Sequence, residues 1–486
     1  MVLKRFLSSH ILDVYLFLFF TSALTLLMSG HGIFVDENLI AQTVESIVTR
    51  GDLTVHNMYQ ALEGADGQYY SRYGITFPLL MVPFYLLGYL LEWIAGAAPF
   101  FNAPHFFSML WGSVLITAFT GCLFFRICLH LSKDTGLSLL FSLSLIFSTP
   151  FLPYSQTLYR MTASTALLLL LFWLVLKLQQ KHHGFHMTTL ALVIAAGLNL
   201  REDLLLFGFP IALYTICSGS IRQKIERIAA IAAGLLLGIL IWGGHNYIRF
   251  GTLFVENYAD ITFNYPLIIS VPELLWGKRG LLWYAPLMLL LPVALLALRK
   301  STSNNDLFHE PRSHHNTAHH SSYHRNPAHN PLYIWMMCSA VCLSALFLYG
   351  KSDMWHGGRC WGPRYLYFLL PFAMLPGIYL FQRWNSIWLR TGFILAAAWG
   401  TYANWSGVYA HQGDYISFFE RPSFLELYHN LPTHPIYNTP ADLDLWWIRM
   451  LKMHPFSLWS LTFVLLCLLT LYFLYAIMQN QKNLSH

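Results

Sequence analysis

The chain has 486 residues, 56% of them hydrophobic and 11% charged, and its mean hydropathy is +0.48. Soluble domains carry about 25% charged residues, so an ordinary water-soluble globule is excluded. Nothing in the formal net charge of +6 calls for a nucleic-acid partner.

Lys4 and Arg5 precede an apolar run over 11–30 that is longer than a signal-peptide core and lacks a small-residue cleavage site. It reads as an uncleaved first span with a cytoplasmic N-terminus. Next come His31 to Glu37, then Leu39, Ile40, Val44, Ile47 and Val48 at helical spacing, with Arg50 in the last turn and Gly51 as the stop. This predicts a short amphipathic helix on the membrane surface, with Asp36 at its N-cap and Glu37 in its first turn. Two readings stand for these carboxylates. One is a cap and a complement to the helix dipole; the other is a general base at the bilayer surface that takes a proton from an acceptor hydroxyl.

Gly64 to Gly74 reads as a glycine-rich turn and an aromatic strand, with Tyr69 and Tyr70, ending at Arg72. Arg72 either snorkels to headgroup phosphates or forms a fixed cation suited to a lipid-borne phosphate. The run over 76–96 contains Pro78, Pro83 and Gly88 and is ambiguous. If it crosses the membrane, Arg126, Lys133, Lys177 and Lys181 face outward, against the positive-inside rule. If it dips into the outer face or lies along it, they become cytoplasmic, and that arrangement is preferred.

Further spans are expected at 105–128, 136–152, 160–178, 228–248, 281–298, 331–349, 365–381, 388–408 and 456–478. The stretch 187–217 is split into two short helices at Arg201-Glu202-Asp203, because three ionisable residues at mid-membrane are costly. The fold class is therefore an all-α polytopic membrane protein with about 12 transmembrane helices. Residues 1–408 form the main membrane region, with 31–96 as its first outer loop; 409–486 holds an outer loop and the last span.

The seven cysteines suggest no disulfide framework or Cys-based metal site. The cytoplasmic loop 299–330 carries seven histidines among Ser, Asn and Pro and cannot bury a core. His245 and Asn246 read as helix–helix hydrogen-bonding groups. In the outer segment 353–364, Asp353, Trp355, His356, Gly357, Gly358 and Arg359 form a loop, and Pro363 opens the next span just before Arg364. That loop is either a structural turn with an interfacial anchor or a sugar-facing surface, with Trp355 and Trp361 stacking on sugar rings and the arginines holding phosphate. Lys278 and Arg279 are either an interfacial pair or further phosphate contacts. Arg201 is either neutralised within its turn or a phosphate contact.

Several of these segments together resemble the C-type (GT-C) superfamily of integral membrane glycosyltransferases, in the branch of protein O-mannosyltransferases and lipid A aminoarabinose transferases. They are Asp36-Glu37 after the first span, the stretch from Gly67 to Gly88, HNYIRFGTLF (His245 to Phe254), WGKRGLLWYAPL (Trp276 to Leu287) and WHGGRCWGPRYL (Trp355 to Leu366). The resemblance implies transfer of a sugar from a polyprenyl-phosphate carrier to a lipid, glycan or protein acceptor on the outer face, with inversion at the anomeric carbon. It implies Asp36 as catalytic base with Glu37 beside it. It implies a carrier-phosphate contact at Arg72. A lipid-linked donor presents its phosphate at the interface and needs outer-face cations, for which Lys278, Arg279, Arg359 and Arg364 are further candidates, with Tyr70, Trp355 and His356 as candidate phosphate or sugar contacts. The family often has Lys and two prolines where this chain has Arg72 to Pro78, so the register of Arg72 departs from the pattern. No cofactor is required, and a divalent cation is compatible but not called for. The expected location is a bacterial inner membrane with the site facing the periplasm. The competing functions are a transporter or flippase of lipid-linked saccharides, and an O-antigen polymerase or ligase.

Overall fold

The computed structural model describes residues 2–28, 35–56, 60–95, 104–180, 184–216, 219–255, 258, 261–277, 280–302, 331–355, 357, 360–384, 386–409 and 465–477. After α1 (Val2–Leu26) comes α2 (Val35–Thr49), then three short strands, β1 (Thr54–Val55), β2 (Ala61–Glu63) and β3 (Tyr69–Ser71). The strands form one antiparallel sheet with β3 in the middle, Tyr70 facing both Thr54 and Leu62. Next are α3 (Thr76–Ala95), α4 (Pro104–Ser132), α5 (Thr135–Phe147), α6 (Phe151–Tyr154) and α7 (Met161–Gln180). They are followed by α8 (Gly184–Leu200), α9 (Leu204–Thr215), α10 (Ile221–Phe250), α11 (Leu267–Trp276) and α12 (Leu281–Tyr284). A 3-10 turn at Pro286–Leu289 leads into α13 (Leu290–Thr302), then α14 (Pro331–Lys351), a second 3-10 turn at Arg364–Leu369, α15 (Leu370–Arg383) and α16 (Ile387–Tyr409). A further apolar helix, α17, is Leu465–Ile477.

Local chemistry sets several of these boundaries. The Asp134 carboxylate caps α5 by accepting from the Leu137 N–H at 3.0 Å. Ser220 and Gln223 make a reciprocal capping box at the start of α10, which ends on Gly251 in the left-handed region. The run expected at 136–152 breaks at Ser148–Pro150, and α5 has 13 residues, about 20 Å of helix. The run at 281–298 breaks at Ala285–Pro286, and the chain bends by 113° there. A proline without a donor N–H lies at each of these two breaks. The split at 201–203 is present, between α8 and α9. Six helices among the described residues are individually long and apolar enough to cross a membrane, seven if the bent pair counts as one.

The bundle has two distinguishable ends. Antiparallel packing of α1 and α4 is fixed by Trp111 Nε1 donating to Thr25 Oγ1 at 3.1 Å and by the Asp13–Arg126 ion pair. At the Arg126 end, Gln180 of α7 meets His130 of α4 at 3.3 Å, and Arg227 of α10 donates to the carbonyls of Leu178 and Thr215. The ionisable side chains within the spans exceed what the sequence suggests, and each has a local role: Asp13 and Arg126 neutralise one another, while Arg227 holds carbonyls in the last turns of two helices.

The opposite end carries α2, the sheet and the 201–203 turn. Helix α3 makes contacts with the neighbouring helices α8 and α4. Thr76 Oγ1 donates to the Ala196 carbonyl at 3.0 Å near the close of α8, whereas Gly88 packs on His105, the second residue of α4. The Tyr85 ring stacks on His105 with centroids 4.4 Å apart. Helix α3 is long and apolar enough to span, and it leaves Leu79, Leu80, Leu86, Leu90 and Trp93 exposed.

Candidate functional site

Asp36 and Glu37 both lie in the first turn of α2. Asp36 is thus inside the helix rather than at the N-cap expected from the sequence. The helix is oriented by Leu39, Ile40 and Val44, all at most 1% exposed, so that its polar start meets the bundle end. The Asp36 Oδ2 accepts from Arg364 Nη1 at 3.0 Å, a pair joined across 328 residues of sequence, with the two side chains 15% and 13% exposed. The Glu37 carboxylate turns the other way. Its Oε1 accepts from the backbone N–H of Leu158 at 2.8 Å, and the residue is 1% exposed.

Three further arginines lie around this pair. Arg160, the residue before α7, donates to the Leu200 carbonyl at 3.0 Å and to the Tyr258 hydroxyl at 3.1 Å. Its guanidinium also lies 4.1 Å from the centre of the Tyr73 ring. Arg72 sits 5.1 Å above the Tyr258 ring, so Tyr258 stands between Arg72 and Arg160. Arg201 is paired with Asp203 and donates to the Tyr349 hydroxyl at 2.5 Å. Tyr349 in turn donates to Asp203 and stacks on Tyr365 at 4.8 Å and 7°. Arg364 lies over the rings of Tyr159 (4.8 Å) and Tyr365 (5.3 Å). The tyrosines link the two ion pairs into one cluster. Burial holds the Tyr73 hydroxyl well above its ordinary range, and the nearby Asp36 charge adds to this, so it stays protonated and donates to Gln60 Oε1 at 2.6 Å.

Several expected site residues lie elsewhere. Tyr70 is 6% exposed, its ring meets Phe250 edge-on at 5.9 Å, and its hydroxyl donates to Asp66 at 2.7 Å. Burial and that bond push it up to about 12. Tyr70 therefore builds the turn that presents Arg72, and these partners lie outside the arginine cluster. Trp361, expected to face a sugar, is 2% exposed; its ring meets Tyr284 edge-on at 5.6 Å, and its carbonyl accepts from the Tyr154 hydroxyl at 2.8 Å. Trp355 is half-buried against the core. Asp353 accepts from the Thr262 hydroxyl at 2.8 Å and ties 261–266 to the end of α14. His356, Arg359, Lys278 and Arg279 lie outside the described residues, as do the seven histidines of the 299–330 segment and residues 410–464, which hold most of the outer loop expected at 409–455 and the start of the span expected at 456–478. His245 and Asn246 do not bridge helices as expected. They accept from Arg249, through the His245 carbonyl at 3.2 Å and Asn246 Oδ1 at 2.8 Å, while Arg249 also holds the Ser71 carbonyl. That bond docks the end of β3 on α10, directly before Arg72.

Sequence reasoning missed Arg160, Tyr73, Tyr159 and Tyr258. The only local signal for Arg160 is a cation one residue before an apolar span. Among the described residues no group of three His, Cys, Asp or Glu side chains is placed to hold a metal. Below the cluster, a cavity of about 240 Å³ opens between α7, α8, α9 and α10, lined by apolar side chains including Leu168, Leu171, Leu198, Leu204 and Phe209. Its lining reaches Leu198 of α8, two residues or about 3 Å of helix rise from Leu200, whose carbonyl holds Arg160.

No protein-family model matches the chain, and no curated protein matches it. The chain is similar to the crystal structure of ArnT from Cupriavidus metallidurans bound to undecaprenyl phosphate, with 12% identity and a TM-score of 0.49 over 84% of this chain and 76% of that one. It is also similar to the apo structure of the same ArnT, with 12% identity and a TM-score of 0.47 over 85% and 77% of the two chains.

Proposed function

We propose that the chain is a multi-pass membrane glycosyltransferase of about 12 crossings, using a polyprenyl-phosphate-linked sugar as donor. The observation that carries this reading is the meeting of the Asp36–Arg364 pair with Arg72, Arg160 and Arg201 at one end of an apolar bundle, above an apolar cavity. An amphiphile with an anionic head and a long apolar tail matches that combination. The family resemblance carried by the motifs from Gly67 to Gly88 and from Trp355 to Leu366 implies the same substrate class.

In this reading the acceptor oxygen attacks the anomeric carbon as the bond from that carbon to the phosphate oxygen breaks, and the polyprenyl phosphate leaves with the electron pair. Asp36 takes the acceptor's proton. Arg364 holds Oδ2 and fixes the rotamer, while Oδ1 carries the lone pair that receives the proton. Charge developing on the leaving phosphate is stabilised by preplaced guanidiniums, which act more strongly in a partly dry site than in water. Attack opposite to departure gives inversion. We place the site on the periplasmic face of a bacterial inner membrane because Arg126 and Lys177 lie at the other end, where the positive-inside rule puts the cytoplasm.

The test is mass spectrometry of lipid-linked sugars and surface glycans in cells lacking the protein, complemented with wild type or Asp36→Asn. A carrier-linked sugar accumulates, and one glycan loses a residue. Wild type restores it, while Asp36→Asn lowers transfer by about 10²–10⁴-fold. Full rescue by Asp36→Asn removes Asp36 as base and brings the transporter reading forward.

A further inference from the structure

We infer that Glu37 is a positioning residue rather than a second base: its carboxylate clamps the segment before α7 onto the first turn of α2. This rests on the glycosyltransferase reading, in which Asp36 is the base. Adjacent residues on a helix project about 100° apart, so Asp36 and Glu37 cannot both address one acceptor hydroxyl. Asp36 reaches Arg364, whereas Glu37 is buried to 1% exposure with Oε1 on the Leu158 amide. A buried acceptor engaged by a backbone N–H is poorly placed to exchange protons with a substrate.

The clamp matters because the two residues after Leu158 both reach into the arginine cluster. Tyr159 lies under the Arg364 guanidinium, and Arg160 reaches the Leu200 carbonyl and the Tyr258 hydroxyl. One closed circuit therefore runs from Asp36 to Arg364, on to Tyr159, through the backbone to the Leu158 N–H and back through Glu37 to Asp36. The Glu37–Leu158 bond is the link of this circuit that joins α2 directly to the segment before α7. The neighbouring Thr157, Ser155 and Thr162 hydroxyls bond within three residues of themselves and cannot replace it. Loss of the Glu37 acceptor would free the amide and let Tyr159 and Arg160 move relative to Asp36. A displacement of a catalytic constellation by about 1 Å costs on the order of 10²-fold in rate.

Side-chain chemistry separates the two roles. Glu37→Gln keeps a carbonyl oxygen in the same place and can still accept from Leu158, but it cannot act as a base. Glu37→Ala removes both capacities. We expect Glu37→Gln to keep kcat within about threefold of wild type, while Glu37→Ala loses about 10–100-fold in kcat, as expected for a buried hydrogen bond left unmade. Hydrogen exchange of the peptide covering 155–160 gives a readout independent of turnover: uptake rises in Glu37→Ala and stays at the wild-type level in Glu37→Gln. If Glu37→Gln is folded, protects Leu158 and is still as inactive as Glu37→Ala, the positioning role is overturned and Glu37 is a proton-transfer group. If exchange at 155–160 is the same in all three proteins, the clamp itself is refuted. Failure of the glycosyltransferase reading is distinguishable from both, because it would appear as no sugar transfer from a polyprenyl-phosphate donor by the wild-type protein.

Discussion

Arg160 is the sharpest place to test how this site binds a phosphate. Arg201 and Arg364 each have a carboxylate partner, Asp203 and Asp36, whereas the partners of Arg160 are a carbonyl, a hydroxyl and an aromatic face, all neutral. An arriving anion can therefore meet its charge without first displacing an aspartate from a hydrogen bond to it. Two unit charges about 4 Å apart at an effective dielectric near 20 attract by about 4 kcal/mol. Arg160 is half-buried, so desolvation and residual solvent screening reduce this, and about 2 kcal/mol is a reasonable net value. Arg160→Gln should then weaken binding of undecaprenyl phosphate about 30-fold. The fold should survive, since the two lost hydrogen bonds cost about 1 kcal/mol each. The assay is native mass spectrometry of the purified protein in detergent, titrated with undecaprenyl phosphate and, as a neutral control, undecaprenol. Arg160→Lys should fall between Arg160→Gln and wild type, keeping the charge but losing the fork that spans Leu200 and Tyr258. Unchanged affinity in Arg160→Gln, together with a loss in Arg364→Gln, would refute the charge argument and return the phosphate to Arg364.

Two predictions concern how the site is held. Arg249→Gln removes the donors to the Ser71 carbonyl and Asn246 Oδ1, each worth about 1–3 kcal/mol when left unpaired, and should raise hydrogen exchange over 69–72 while helix α10 stays protected; unchanged exchange there would show that the sheet docks by other contacts. Gly407→Ala would place a methyl carbon 2.7 Å from Trp361 Cε2, against a ring already fixed by Tyr284, and should destabilise by about 1–3 kcal/mol. A thermal melt in detergent checks the second, and a melting temperature equal to wild type would mean that Trp361 can move.

What the sequence made legible was short-range. The 3.6-residue spacing of Leu39, Ile40 and Val44 predicts α2, the glycine-flanked aromatic run predicts β3, and the ionisable triplet predicts the break between α8 and α9. Span lengths were less legible because a hydropathy window averages over Pro150 and Pro286. The lie of α3 was ambiguous for a different reason. Its 20 residues have the composition of a span, and its contacts with Ala196 and His105 are made by residues far apart in sequence that no local period encodes. The site is mostly long-range: the Asp36–Arg364 pair spans 328 residues and the Glu37–Leu158 bond 121, and no local period encodes either. Arg249 shows the same limit from another side. Its motif was visible, but its partner, the Ser71 carbonyl, is a backbone atom that any residue supplies.

The pairing of Asp36 with Arg364 bears on how a base would be presented. Arg364 engages Oδ2 through Nη1, and its guanidinium also lies over the faces of Tyr159 and Tyr365. The bond is therefore to one oxygen and not the bidentate fork that would occupy both. A carboxylate held through one oxygen is fixed in rotation while its other oxygen stays available, which is what abstraction of a proton at a defined position requires. The same arrangement divides the arginines by task. In the proposed mechanism Arg364 orients the base, Arg201 is matched by Asp203 and secures the α8–α9 turn through Tyr349, and Arg160, whose hydrogen-bond and ring partners are neutral, offers its charge to an incoming phosphate beside Arg72.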